Sequence, residues 1–389
     1  MVDAVHLVDR SGDPLFIAPN DVVVDSAQRV AFFGGPSASW QPDAETGEQH
    51  IPSKSGEYVG AILQRDGSVS LIESPRPDRT FSNLRATSIG EGAFHVFLAE
   101  VSHDASQSIP ERTRALWFGT WKAGQWLDLI ADSSEMARQI VAGGASDIVT
   151  IGDTVLVAAP KWGSDGYRGL SVIIFQGQRI SVTSVPVESQ PAYVDLAVDS
   201  SGELLLLVVQ AVIRTEQGRL SDRNSMARYQ RAPSGTWEQQ QELVVDATLG
   251  NPVYWPDLWL HQGQPQVVWI EDDRSSVDLA DGAVGVSPNL KSVLALPGAA
   301  SHAHGVEGYT DLPMVLAVSE ADGDKVLRFV SYSGLGVEAV SEYLTHSFFS
   351  DPLAAAPDAK TVIVVTDSIS PDRRWAQTRL QKLQMMCQK

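Results

Sequence analysis

The chain has 389 residues, with 48 Asp and Glu against 29 Lys and Arg, for a formal charge of −19. Its 43% hydrophobic and 20% charged residues supply ample material for a core and exclude a disordered chain. The acid excess repels phosphate backbones and anionic bilayers, which excludes nucleic acid and membrane as partners.

The first six residues, Met1 to His6, carry no basic segment leading into an apolar one, so no signal peptide is expected. A cytoplasmic protein follows, or a secreted one if a leader has been removed. Residues 4–9 form a strand with no partner nearby. Then a unit begins that recurs along the whole chain: a short β-type run, a Gly/Asp turn and a nearly continuous apolar run of strand length. It appears at residues 21–35, 85–100, 147–160, 193–210, 257–272, 304–320 and 351–367, with the apolar runs starting 47 to 65 residues apart. A second pair of strands follows most units, as at 57–64 and 68–73 across the turn Arg65-Asp66-Gly67. The last unit supplies only three strands, ending at 375–383. Only 133–141 has a helical pattern, and 13–18 is an optional extra strand in the first unit.

A repeat averaging about 55 residues lies in the range of propeller blades. The expected fold is all-β: one seven-bladed β-propeller over residues 1–389, with four antiparallel strands per blade. Blades fall near 14–73, 83–131, 145–186, 193–245, 253–297, 301–344 and 349–384, with strand 4–9 pairing into the last to close the ring. The single cysteine, Cys387, excludes an intrachain disulfide and a cysteine-based zinc site.

In such a ring the short turns lie on one face and the long irregular loops on the other, where function concentrates. Those long loops carry Trp40, Trp162, Tyr167, Trp255, His346 and Phe348, candidates for stacking on a sugar or an aromatic ligand. Aligning the units places Asp21, Arg85, Asp147, Asp195, Asp257, His304 and Asp351 at the start of the innermost strands. The second strands close on Gly35, Glu100, Pro160, Gln210, Asp272, Glu320 and Asp367, so that nine carboxylates gather at one mouth. Such acids either bind a cation or polyhydroxyl ligand or cap backbone N–H groups of the next blade. Arg85 and His304 break the pattern and rank first as functional residues. His304 suits a base or acid, Asp257 and Asp351 orienting carboxylates, and Arg85 an anion clamp. Asp147 and Asp195 join the ligand-binding set. His302 and His304 sit at i and i+2 on one side of a strand, and with Asp351 they make a candidate site for a divalent metal. No nucleotide-binding motif is present, so no other cofactor is expected.

The segments at 254–269, with Pro256-Asp257 and Val267-Val268-Trp269, and at 194–209 resemble repeats of sialidase-like propellers. The resemblance implies the propeller fold. It does not extend to sialidase activity: the Asp-box survives only as Ser234-Gly235-Thr236-Trp237, without its Asp, and no arginine triad can be placed. Two functions are therefore expected: an enzyme with one pocket at the loop-bearing mouth, acting on a small molecule or glycan by acid–base chemistry, or a non-catalytic binder of glycan or protein.

Overall fold

A computed structural model describes residues 3–35, 56–102, 113–134, 137, 147–163, 166–187, 191–198, 204–210, 225–231, 235–244, 253–271, 282–288, 294–308, 311–321, 324–333, 336–345, 352–369 and 376–384. These residues fold into antiparallel sheets. After β1 (Asp3–His6) the first sheet runs β2 (Ala18–Val24), β3 (Val30–Gly35), β4 (Tyr58–Leu63) and β5 (Val69–Glu73). The second is β6 (Phe81–Gly90), β7 (Ala93–Val101), β8 (Thr113–Lys122) and β9 (Gln125–Asp132). The third is β10 (Asp147–Ile151), β11 (Thr154–Gly163), β12 (Gly166–Gln176) and β13 (Arg179–Val185). The fourth is β14 (Pro191–Val198), β15 (Leu204–Gln210), β16 (Ser225–Arg231) and β17 (Trp237–Val244). The fifth is β18 (Val253–His261), β19 (Gln264–Glu271), β20 (Gly282–Pro288) and β21 (Leu294–Ala300). In the sixth, β22 (His302–Gly305) is followed by β23 (Glu307–Gly308), which leaves the sheet, and then by β24 (Met314–Ala321), β25 (Asp324–Ser333) and β26 (Gly336–Thr345). The last holds β27 (Leu353–Asp358), β28 (Thr361–Ile369) and β29 (Ala376–Gln384), with β1 on its outer side and β23 on its inner side.

Burial explains why the repeat reads as it does. Second strands lie between two neighbouring sheets and are apolar on both faces; every residue of β3 is buried. Outer strands meet solvent, and β9 is exposed or half-exposed throughout. Hydrophobic clusters fill the space between consecutive sheets: Phe33 and Phe94 join the first and second, Phe118 stacks on Phe175 between the second and third, and Leu316 packs with Val364 between the sixth and last. Indole and phenol groups also bond across these seams. Trp126 Nε1 donates to Glu73 O at 2.8 Å, Trp237 Nε1 to Thr183 Oγ1 at 3.2 Å and Tyr332 OH to Gln266 Oε1 at 3.1 Å.

First strands pack in succession, β2 on β6, β6 on β10, β10 on β14, β14 on β18 and β18 on β22, and β27 packs on β2. The N-terminal strand pairs antiparallel with β29, Asp3 opposite Lys382. The chain that follows it is stitched to the same strand. Thr378, fully buried, accepts the Ile17 N–H at 2.7 Å and donates to Ile17 O at 2.9 Å, while Leu7 N–H donates to Thr378 O at 2.9 Å. The optional strand at 13–18 is reduced to a single bridge, Val8 with Pro14, because Asp9 turns the chain there by accepting the N–H groups of Ser11 and Asp13. Most of the helical segment at 133–141 lies outside the described residues; Ser134 Oγ accepts the Ala137 N–H at 3.2 Å, a bond of the kind that begins a helix.

Candidate functional site

The first strands of all these sheets line one channel of about 1000 Å³. It extends from the level of Asp21 and Asp257 to that of the turn residues Asp25, Gln262 and Asp358.

Strand register fixes which residues form its girdle. Asp21 stands opposite Phe33, Arg85 opposite Phe97, Asp147 opposite Ala158 and Asp195 opposite Leu207. Asp257 stands opposite Val268, His304 opposite Leu316 and Leu353 opposite Val365. The seventh position therefore belongs to Leu353 and not to Asp351, which lies outside the described residues.

Each girdle acceptor takes the N–H of the residue just past the girdle position of the next sheet. Asp21 Oδ2 accepts Ala86 N–H at 2.7 Å, Asp147 Oδ2 accepts Leu196 N–H at 2.7 Å and Asp195 Oδ2 accepts Leu258 N–H at 2.7 Å. Asp257 Oδ2 accepts Gly305 N–H at 2.6 Å, and His304 Nε2 accepts Ala354 N–H at 2.8 Å. Arg85 and Leu353 have no acceptor to offer. The N–H groups they would have met, Ile148 and Val22, bond instead to the carboxylates of their own neighbours Asp147 and Asp21. The aspartate repeat is thus a set of backbone caps between sheets.

His304 acts in that set. With Nε2 accepting from Ala354, the ring proton belongs on Nδ1, 3.9 Å from Asp257 Oδ2. Burial and the neighbouring His302 push its pKa down to about 3, so the imidazole stays neutral. The lone pair that a general base or a metal ligand would use is already engaged. Of the candidate metal ligands His302, His304 and Asp351, the last lies outside the described residues, and among the described residues no group of three or more His, Cys, Asp and Glu is arranged to hold a metal ion.

The girdle carboxyls are unusual acids. They retain contact with the channel, Asp257 with 30% of its side chain accessible, and are otherwise enclosed by protein. This crowding raises Asp21 to about 7 in spite of Arg85, and raises Asp257 to about 6. Asp195 is raised well above the usual range by burial and by Asp147 and Asp257 beside it; Asp147 is raised as well, mainly by burial. Asp195 thus stands between two other carboxyls of the girdle, and their like charge adds to its burial. Arg85, in the same ring, donates to Asn20 O and Leu84 O.

One channel acid was not foreseen. Glu307 lies three residues past His304, where the other sheets carry Val24, Ser88, Thr150, Val198, Leu260 and Ala356. Aligning the units at that offset would have exposed it. Its side chain is exposed to the channel, and the protein packed around the channel, together with Asp21, Asp257 and Asp147, raises its pKa to about 8.

The remaining expectations fall differently. Trp162 and Tyr167 belong to strands rather than to a loop: they pair with each other at the end of the β11–β12 hairpin, which is longer than the turn signals indicated. Trp255 likewise lies within β18. Glu100 is buried between Arg79 Nη1 at 2.8 Å and Trp117 Nε1 at 2.9 Å, and Asp367 is buried within β28; neither lines the channel. Trp40, His346, Phe348 and Asp272 lie outside the described residues.

No protein-family model and no curated protein sequence matches the chain. Solved structures do. A Hadza microbial sialidase, Hz136, superposes with a TM-score of 0.54 at 13% identity over 95% of this chain and 65% of its own, so the chain spans under two thirds of that protein. A protein of unknown function from Dyadobacter fermentans gives 0.52 at 12% identity over 79% of this chain and 95% of its own. The polysaccharide lyase Uly1 gives 0.51 at 10% identity over 95% and 90%. In fold, the chain resembles the sialidase-like propellers. At these identities the likeness extends to architecture alone.

Proposed function

We propose that the sheets are the seven blades of a closed β-propeller and that its axial channel binds a glycan and acts on it by proton transfer. The observation that carries the reading is the channel itself. It has room for a sugar unit, acids whose pKa values lie near neutrality and, among the described residues of its wall, a single arginine, Arg85. Two of the similar folds bear the names of a sialidase and a polysaccharide lyase, which supports carbohydrate as the ligand class. Proton transfer between carboxyls and a glycosidic oxygen or a ring C–H needs no metal.

A non-catalytic glycan binder is the second reading. It is favoured by one observation: the girdle aspartates already hold backbone N–H groups. A panel of neutral, amino and acidic oligosaccharides separates the two, with reducing-end release and unsaturated product measured alongside calorimetric binding. Turnover of one class, lost in Arg85→Ala, is expected. Binding without turnover would favour the second reading, and neither binding nor turnover would defeat both.

A further inference from the structure

Chain geometry at the sixth sheet separates Glu307 from every other acid in the channel. β22 ends at Gly305. Val306 is buried and donates its N–H to Met314 O at 2.9 Å, and the next two residues abandon the sheet to pair parallel with β27, Glu307 opposite Ala355 and Gly308 opposite Ala356. Only glycine permits this crossing. Gly308 has φ +123°, and a Cβ there would overlap the carbonyl oxygen of Ala356. The consequence is a carboxyl at a position where the other first strands present an apolar or hydroxyl side chain.

Unlike the aspartates, Glu307 caps nothing: its carboxyl makes no hydrogen bond among the described residues, and it is exposed to the channel. The groups around it are all acids on the elements packed against it or facing it, Asp21 on β2, Asp257 on β18, Asp147 on β10 and Asp358 on β27, with Asp311 following in the chain. Arg85 is the one cation among the described channel-lining residues, and the imidazole of His304 is neutral. Among the described residues no ion pair holds Glu307 in its charged form.

We propose that Glu307, placed in the channel by the Gly308 crossing, is a ligand-facing acid and the group that donates a proton to a bound molecule. The proposal deepens the reading of the channel as the site and rests on it. Its raised pKa, about 8, agrees with the same surroundings. A proton passing from its carboxyl to a leaving oxygen would leave a carboxylate among like charges, which the next proton from water would neutralise.

Chemical labelling tests this without a known substrate. A diazo amide esterifies neutral carboxylic acids: the carboxyl proton goes to the diazo carbon, an oxygen–carbon bond forms and dinitrogen leaves. With the full-length protein at about pH 7, peptide mass spectrometry is expected to find Glu307 modified about tenfold more than Asp66 or Asp78, whose hydrogen bonds keep them ionised. Modification should fall by about tenfold as pH rises to about 9. Labelling no greater than at Asp66 would overturn the proposal. Where a glycan is turned over, Glu307→Gln should lower kcat about 100-fold with KM retained and abolish the alkaline limb of the pH profile; an unchanged kcat would overturn it equally. A wild-type protein that turns over no glycan defeats the enzymatic reading of the channel, and the labelling still decides the state of Glu307.

Discussion

Hydrogen bonding divides acids that the repeat makes look alike. Asp257 holds the Gly305 N–H at 2.6 Å, so Asp257→Ala strands a backbone donor at the seam of two sheets and should cost about 1–3 kcal/mol in urea denaturation. Asp195 holds the Leu258 N–H at 2.7 Å beside two other carboxyls that, with burial, raise its pKa. Asp195→Asn keeps an acceptor for Leu258 and an N–H donor toward a neighbour, and it should change stability by less than about 1 kcal/mol at neutral pH. A loss at Asn equal to the loss at Ala would mean that the charge, and not the cap, is what matters. The acid positions in sheets one, three, four and five were legible in the sequence. The exchange of partners at Ile148 and Val22 was not, because it depends on what the preceding sheet fails to offer.

At the level of the element, strands and turns could be read because apolar runs of strand length end at Gly and Asp. The parallel pairing of β23 could not, since two residues contacting another sheet leave no periodic trace. Strand β22 carries a further constraint. The Trp259 indole lies against Gly305, where a Cβ would overlap the ring. Gly305→Ala should cost about 1–3 kcal/mol and alter the near-ultraviolet circular dichroism of the indole; an unchanged spectrum and stability would show that the ring has room to move. In the neighbouring last sheet, Thr378 ties the N-terminal segment in place. Thr378→Val keeps the volume but leaves the Ile17 N–H and C=O without a side-chain partner. Hydrogen exchange at Ile17 should accelerate by at least about tenfold, and unchanged protection would contradict the role given to Thr378.

Across the whole molecule, the channel acids set the pH dependence of stability. Their folded pKa values lie above the unfolded value of about 4, so between about pH 4 and pH 8 the native state binds more protons than the unfolded chain. Their contribution is complete below the unfolded pKa and is lost as pH rises through the folded values. Asp25 works in the opposite sense: burial would raise it, but hydrogen bonds from Arg29 and Gly92 outweigh this and lower it, so its contribution is lost in acid. Thermal unfolding should therefore give a melting temperature that falls from about pH 5 to about pH 9. Added salt should offset part of the fall by screening a chain of charge −19. The contrast between the capping aspartates and Glu307 is tested most directly by following the carboxyl carbons of ¹³C-labelled Asp and Glu by NMR against pH. The account predicts several resonances titrating above the usual carboxylate range, one near 8 that disappears in Glu307→Gln. Carboxyls that all titrate below about pH 5 would contradict it.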